Sequence, residues 1–155
     1  LKSDQDFAKA SNDYNNIAMD QSVYERFDSS LLLAFDGYPK MVLPSRDQKL
    51  FELRIYEGYS EDAVRRKVKM FNEGEIDIFK DVKLPAVFYS ENIAGKDLPA
   101  LTYLAAYTGM EERDKVWKEF LGHPEWLRMS KLPEYANTVS KIHRLFLEGV
   151  RYSEI

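Results

Sequence analysis

Three stretches of this chain are apolar without a break or nearly so: Leu31-Leu32-Leu33-Ala34-Phe35, Ala86-Val87-Phe88-Tyr89, and Leu101 to Tyr107. Successive side chains of a β-strand point to opposite faces, so a sheet with water on one side alternates between apolar and polar residues. Unbroken apolar strands therefore need cover on both faces. Helices of the same chain can cover one face, and the other calls for a second sheet. A second copy, or a tandem half-unit, would close such sheets into a barrel and hide what is otherwise an aggregation liability. A homo-oligomer, dimer or higher, is the expectation.

The order of elements sharpens this. Asp4 to Met19 reads as a helix through Phe7, Ala10 and Tyr14, weakened by Asn12, Asn15 and Asn16. Ser29 to Asp36 reads as a strand ended by Gly37-Tyr38-Pro39, and Leu50 to Gly58 as the next. Ser60 is placed to cap a helix whose first turn carries Glu61 and Asp62. Its apolar stripe is Ala63, Val64, Val68 and Phe71, interrupted by Gly74 and resumed by Ile78 and Phe79. Pro85–Glu91 and Leu98–Tyr107 read as a hairpin, with Gly95 and Pro99 marking the connection.

Thr108 and Glu111 fit a capping box for a helix carrying Met110, Val116, Trp117, Phe120 and Leu121, which Gly122 is placed to end. Pro124 suits the first position of a short helix through Met129, and Thr138 to Leu147 reads as the last strand. From about Leu50 to Gly149 the order is β-α-β-β-α-β, a ferredoxin-like α+β plan of four antiparallel strands with two helices on one face. Residues 1–45 supply only an αβ half-unit. Tyr24 and Tyr135, each ahead of a strand ending in Asp-Gly or Glu-Gly, echo one another as in a degenerate repeat. The division is thus 1–45, a partial half-repeat, and 46–155, the barrel-forming unit.

Composition removes several function classes. With 155 residues, 45% hydrophobic and 14% aromatic, there is ample material for one core. The net charge of −4 argues against a nucleic-acid binder. No apolar run is long enough to span a bilayer, and no signal segment is evident. Zero cysteines exclude disulfides, thiolate nucleophiles and Cys-ligated metals. Leu1 is not an initiator methionine, so an upstream start with a targeting segment is left open, and the cytoplasm is the default location. There is no Gly-rich phosphate loop, HExxH, GxSxG or carboxylate set at metal spacing, so neither cofactor nor metal is expected.

Short segments then resemble a known family. Glu52-Leu53-Arg54-Ile55-Tyr56 resembles the ELRxY opening of NIPSNAP proteins, and Leu101-Thr102-Tyr103-Leu104-Ala105-Ala106-Tyr107 their third strand. Glu112-Arg113 resembles their acidic-Arg helix start, and His123-Pro124-Glu125-Trp126 their xPEW segment. The resemblance covers roughly residues 50 to 148. It implies the dimeric α/β-barrel fold and little chemistry. Animal members are linked to vesicle and mitochondrial biology, bacterial ones are largely uncharacterised, and the wider superfamily includes monooxygenases and haem-binding or haem-degrading enzymes.

Candidate site residues follow from the strand pattern. Phe51, Leu53 and Ile55 point one way on the first strand of the unit, and Glu52, Arg54 and Tyr56 the other. The apolar trio is expected against the helices and the polar trio inside the barrel. There Arg54 could clamp a carboxylate bidentately, or simply satisfy itself in an ion pair with Glu52 or across subunits. Tyr103 and Tyr107 share a face and could line a ligand pocket or pack a dimer core. His143 could be a general base or haem ligand, or an ordinary hydrogen-bonded residue, and His123 is weaker. The basic run Arg65, Arg66, Lys67, Lys69 reads as a solvated face. The leading function is binding of a small ligand or protein partner through a barrel interior or interface. The alternative is a small cofactor-independent oxygenase, isomerase or decarboxylase using Arg54, Tyr56 and His143, with haem binding as a third reading.

Overall fold

The computed structural model describes residues 3–153 and 155. One five-stranded sheet organises it, in the order β1-β3-β4-β2-β5, with every neighbouring pair antiparallel. The strands are β1 Leu31–Ala34, β2 Leu50–Glu57, β3 Ala86–Ala94, β4 Ala100–Tyr107 and β5 Lys141–Glu148. The leading segment is less regular than expected. Instead of one helix over 4–19 there are two short pieces, α1 Gln5–Ala10 and α2 Asn12–Asn15, then a 3-10 turn at Met19–Gln21, none with a buried residue. With Phe7 and Tyr14 left exposed rather than docked, weak asparagine-rich helix propensity decides the outcome.

The helices that follow β2 lie on one side of the sheet. Ser60 Oγ accepts from Ala63 N at 3.2 Å and opens α3, Glu61–Met70, as its cap. A π-type turn at Phe71–Glu75 joins it to α4, Ile76–Asp81. Gly74 forms the kink, and Met129 packs against it so closely that a Cβ there would fall 2.1 Å from Met129 Cε and displace that methyl group. The helix α5, Met110–Gly122, starts differently from expectation: Glu112, not Glu111, reaches back to bond Thr108 N and Oγ1. Pro124 opens α6, Pro124–Met129.

The main core fills the gap between sheet and helices. It is unusually aromatic: Phe35, Phe71, Phe79, Tyr89, Tyr103, Trp117 and Phe120 are buried in one cluster, with Phe79 and Phe120 rings 4.5 Å apart between centroids. A second, small cluster of Phe51, Val87, Leu104 and Ala106 lies on the other face, edged by Leu53 and Phe88. Strand β4 is buried along its whole length, as its sequence demanded. Strand β1 is not: Leu31 and Leu33 are 62% and 59% exposed, because β1 pairs only with the β3 edge and no helix reaches it fully.

Candidate functional site

The strand β2 carries the site, but with its two faces exchanged relative to expectation. Phe51 belongs to the small cluster on the open face, edged by Leu53, whereas Tyr56 packs in the main core under the helices. Glu52 and Arg54, of the same parity as Tyr56, are buried there too. The polar trio therefore faces α3 and α5, not a barrel interior. The physical reason is complementarity: α3 and α5 bring Lys67, Arg113 and Trp117 to this side, and only here do Glu52 and Arg54 find partners once removed from water.

Glu52 is the hub. Its carboxylate accepts from Arg113 Nε at 2.9 Å and Nη2 at 3.0 Å, from Trp117 Nε1 at 3.1 Å, and from Arg54 Nη1 at 3.3 Å. Arg144 Nε of β5 stands 3.5 Å from it. The Arg54 guanidinium lies 4.1 Å from the Trp117 ring centroid and within 6 Å of the Tyr56 and Tyr103 rings, a cation held by aromatic faces. Its Nε is buried without a hydrogen-bond partner. Tyr56 and Tyr103 hydroxyls bond to each other at 2.9 Å, and Tyr107 Oη accepts from Trp117 Nε1 at 3.2 Å.

Titration follows burial. Desolvation pushes the Tyr56 phenol up to about 12 and raises Tyr103 and Tyr107 as well, so none of the three ionises near neutral pH. Bonding to Glu52 raises Arg113 further, fixing it as a cation. Beside this cluster Lys67 Nζ bonds Glu75 Oε2 at 2.6 Å, both fully enclosed. Burial raises the Glu75 carboxyl, against the pull of Lys67. Lys67 is thus no member of a solvated basic run.

The structure gathers Glu52, Arg54, Tyr56, Tyr103 and Tyr107 into one cluster and leaves His143 out of it. His143 sits on the opposite face of the sheet, at one end, where Nε2 bonds the Glu57 carboxylate. That bond lowers the Glu57 carboxyl. His143, Glu57 and Asp97 bring one ligand atom each to within 4.8 Å of one another, a donor set suited to a divalent metal. Lys141 Nζ, 3.7 Å from Glu57 Oε1, competes for the same carboxylate. His123 caps α6 instead, its Nδ1 accepting from Glu125 N at 3.3 Å. The residues that sequence reasoning passed over carried a signal. Arg113 and Trp117 are four apart on one face of α5, and Lys67 falls on the stripe of Val64 and Phe71.

The NIPSNAP family model matches residues 51–154, about two thirds of the chain. The chain belongs to the NIPSNAP family. Solved NIPSNAP structures share its fold. An uncharacterised NIPSNAP-like domain protein from Burkholderia xenovorans is 21% identical, with a TM-score of 0.63 over 71% of this chain and 92% of that one. A NIPSNAP family protein of unknown function from Agrobacterium tumefaciens is 17% identical, with a TM-score of 0.60 over 73% and 98%. A second one from that organism is 16% identical, with a TM-score of 0.61 over 68% and 97%. No curated relative matches. Among the described residues, no helix of this NIPSNAP chain is long and apolar enough to cross a membrane.

Proposed function

We propose that this NIPSNAP chain is a non-catalytic binding protein that works as a pair, the open face of its sheet closing on that of a second copy to form the barrel. One observation carries the proposal. The open face presents Leu32, Phe88, Leu53, Ile55, Leu145 and Leu147 around the small cluster, with half-exposed or exposed side chains. Its polar members Ser90, Asn92 and Thr102 are buried and bonded within the sheet, and its charges gather at one end, at Glu57, Lys141 and His143. Strands rising about 3.4 Å per residue and lying about 4.8 Å apart give such a face on the order of 600 Å² in projection. Side-chain relief brings that toward the roughly 800 Å² per partner of a stable interface. A patch of one chemistry, matched to itself across a two-fold axis, suits a second copy better than a charged partner.

The division into 1–45 and 46–155 belongs to the same reading, supported by β1 adding a single strand at the β3 edge. A small ligand, on this view, is recognised in the seam around Arg54, between sheet and helices. The enzyme alternative required Arg54, Tyr56 and His143 in one pocket, and the sheet separates His143 from the other two. Light scattering tests the pairing: the mass should approach twice the 18.1 kDa of one chain, and Leu53→Asp should return it to one. A single-chain mass for the unaltered protein at micromolar concentration would overturn the proposal.

A further inference from the structure

The seam around Glu52 holds more cation than it can use. Three arginines from three elements, Arg54 of β2, Arg113 of α5 and Arg144 of β5, converge on one carboxylate. A carboxylate offers about four acceptor positions. Arg113, with two bonds, and Arg54 and Trp117, with one each, already fill those of Glu52. Arg113 Nη1 has a further partner in Asp114, at 2.9 Å, on the surface. Lys67 and Glu75 neutralise each other nearby. What remains is one positive charge in excess and a buried donor, Arg54 Nε, with nothing to bond. Leaving such a donor unpaired costs about 1–3 kcal/mol.

The outer edge of the seam, at β5, is exposed. Helices cover β4 and most of β2 but stop short of β5, where the residues on the helix side, Ile142, Arg144 and Phe146, are 46%, 46% and 44% exposed. Alternation along the strand puts all three on one face. Arg144 therefore stands at the mouth with an apolar side chain on either hand, and the Arg113 guanidinium lies 5.7 Å from the Phe146 ring.

We propose that this seam is an anion site for a small organic acid: a carboxylate on a flat apolar body, the carboxylate meeting the spare guanidinium donors and the body lying along Ile142 and Phe146. Planar guanidinium forks suit a carboxylate, and the flanking apolar surface distinguishes an aryl acid from inorganic phosphate. The site rests on the seam-binding part of the proposed function and not on pairing, because these residues lie on the face opposite the paired one.

Calorimetric titration of the full chain with benzoate, benzamide and inorganic phosphate tests it. Saturable benzoate binding is expected, with benzamide silent and phosphate weaker. Losing one charge-assisted bond through Arg144→Gln, with the fold checked by an unchanged circular dichroism spectrum, should weaken benzoate by at least about tenfold. The proposal is overturned by absence of saturable benzoate binding, by equal binding of benzamide or phosphate, or by an Arg144→Gln variant that binds benzoate unchanged. Repeating the titration on Leu53→Asp separates the two readings. Benzoate binding by a single-chain species supports the site whatever the fate of the pairing, and its loss there ties the site to the pair and overturns its independence.

Discussion

The two faces of one sheet solve the burial problem in different ways. The helix-side face is largely filled by the chain itself: stacked aromatics, and among them ionic groups gathered on the carboxylates of Glu52 and Glu75. The open face encloses a small cluster of Phe51, Val87, Leu104 and Ala106 beside the bonded polar groups of Ser90, Asn92 and Thr102, ringed by aliphatic side chains that no other described residue fully covers. Buried charge is tolerated where partners are fixed on rigid elements, whereas an aliphatic face needs only another like it. The difference teaches that ionic groups are buried where the chain fixes partners for them, and that aliphatic groups stay at the rim where the chain supplies no cover.

Breaking the helix-side face should have the largest effect. Glu52→Leu leaves Arg54 buried and Arg113 half-buried without their carboxylate, and a loss of about 3–5 kcal/mol in urea unfolding is expected. Lys67→Met alone strands Glu75 and should cost a similar or somewhat smaller amount. The double variant Lys67→Met with Glu75→Leu should recover most of it, since an apolar pair of similar volume replaces the buried ions without a desolvation penalty. On the open face the order of effects reverses. Leu53→Asp should cost the separated chain only about 1 kcal/mol, the usual size for a substitution outside a sealed core, yet abolish pairing in sedimentation.

The smallest effect is in pH dependence, and it carries opposite signs on the two faces. Glu57, at the end of the open face, has its carboxyl lowered by the bond to His143. A lowered acid favours folding while ionised, so its contribution is present at neutral pH and lost as pH falls through the carboxylate range. Glu75, enclosed under the helices, is raised by burial. Its contribution is present in acid and is lost as pH rises through its raised value. Stability followed against pH should therefore lose part of its acid limb in Glu57→Gln. It should lose part of its decline toward neutral pH in the Lys67→Met, Glu75→Leu double variant.

Much of the fold was legible because periodicity and caps are local. Ser60, Gly74 and Pro124 did what their chemistry dictates, and β4 is buried on both sides as its unbroken apolar run requires. Which face of β2 meets the helices was not legible from β2 alone. Phe51, Leu53 and Ile55 look like core, but Glu52 and Arg54 had already been promised partners by Arg113 and Trp117, sixty residues away in sequence. A polar residue's side is chosen by where its partner stands, and that is a long-range fact. The same holds for Lys67, whose place on an apolar stripe made sense only once Glu75 came round the π-type turn to meet it.

The absence of cysteine makes the account directly testable, since any introduced thiol is unique. Leu145 on the open face and Leu127 of α6 are 43% and 46% exposed in the single chain, so alone they offer nearly equal access. Maleimide labelling rates should then separate them. If the open face is shut by a second copy, Leu145→Cys will label far more slowly than Leu127→Cys at high protein concentration, and the two will converge on dilution. Equal rates at every concentration would contradict it.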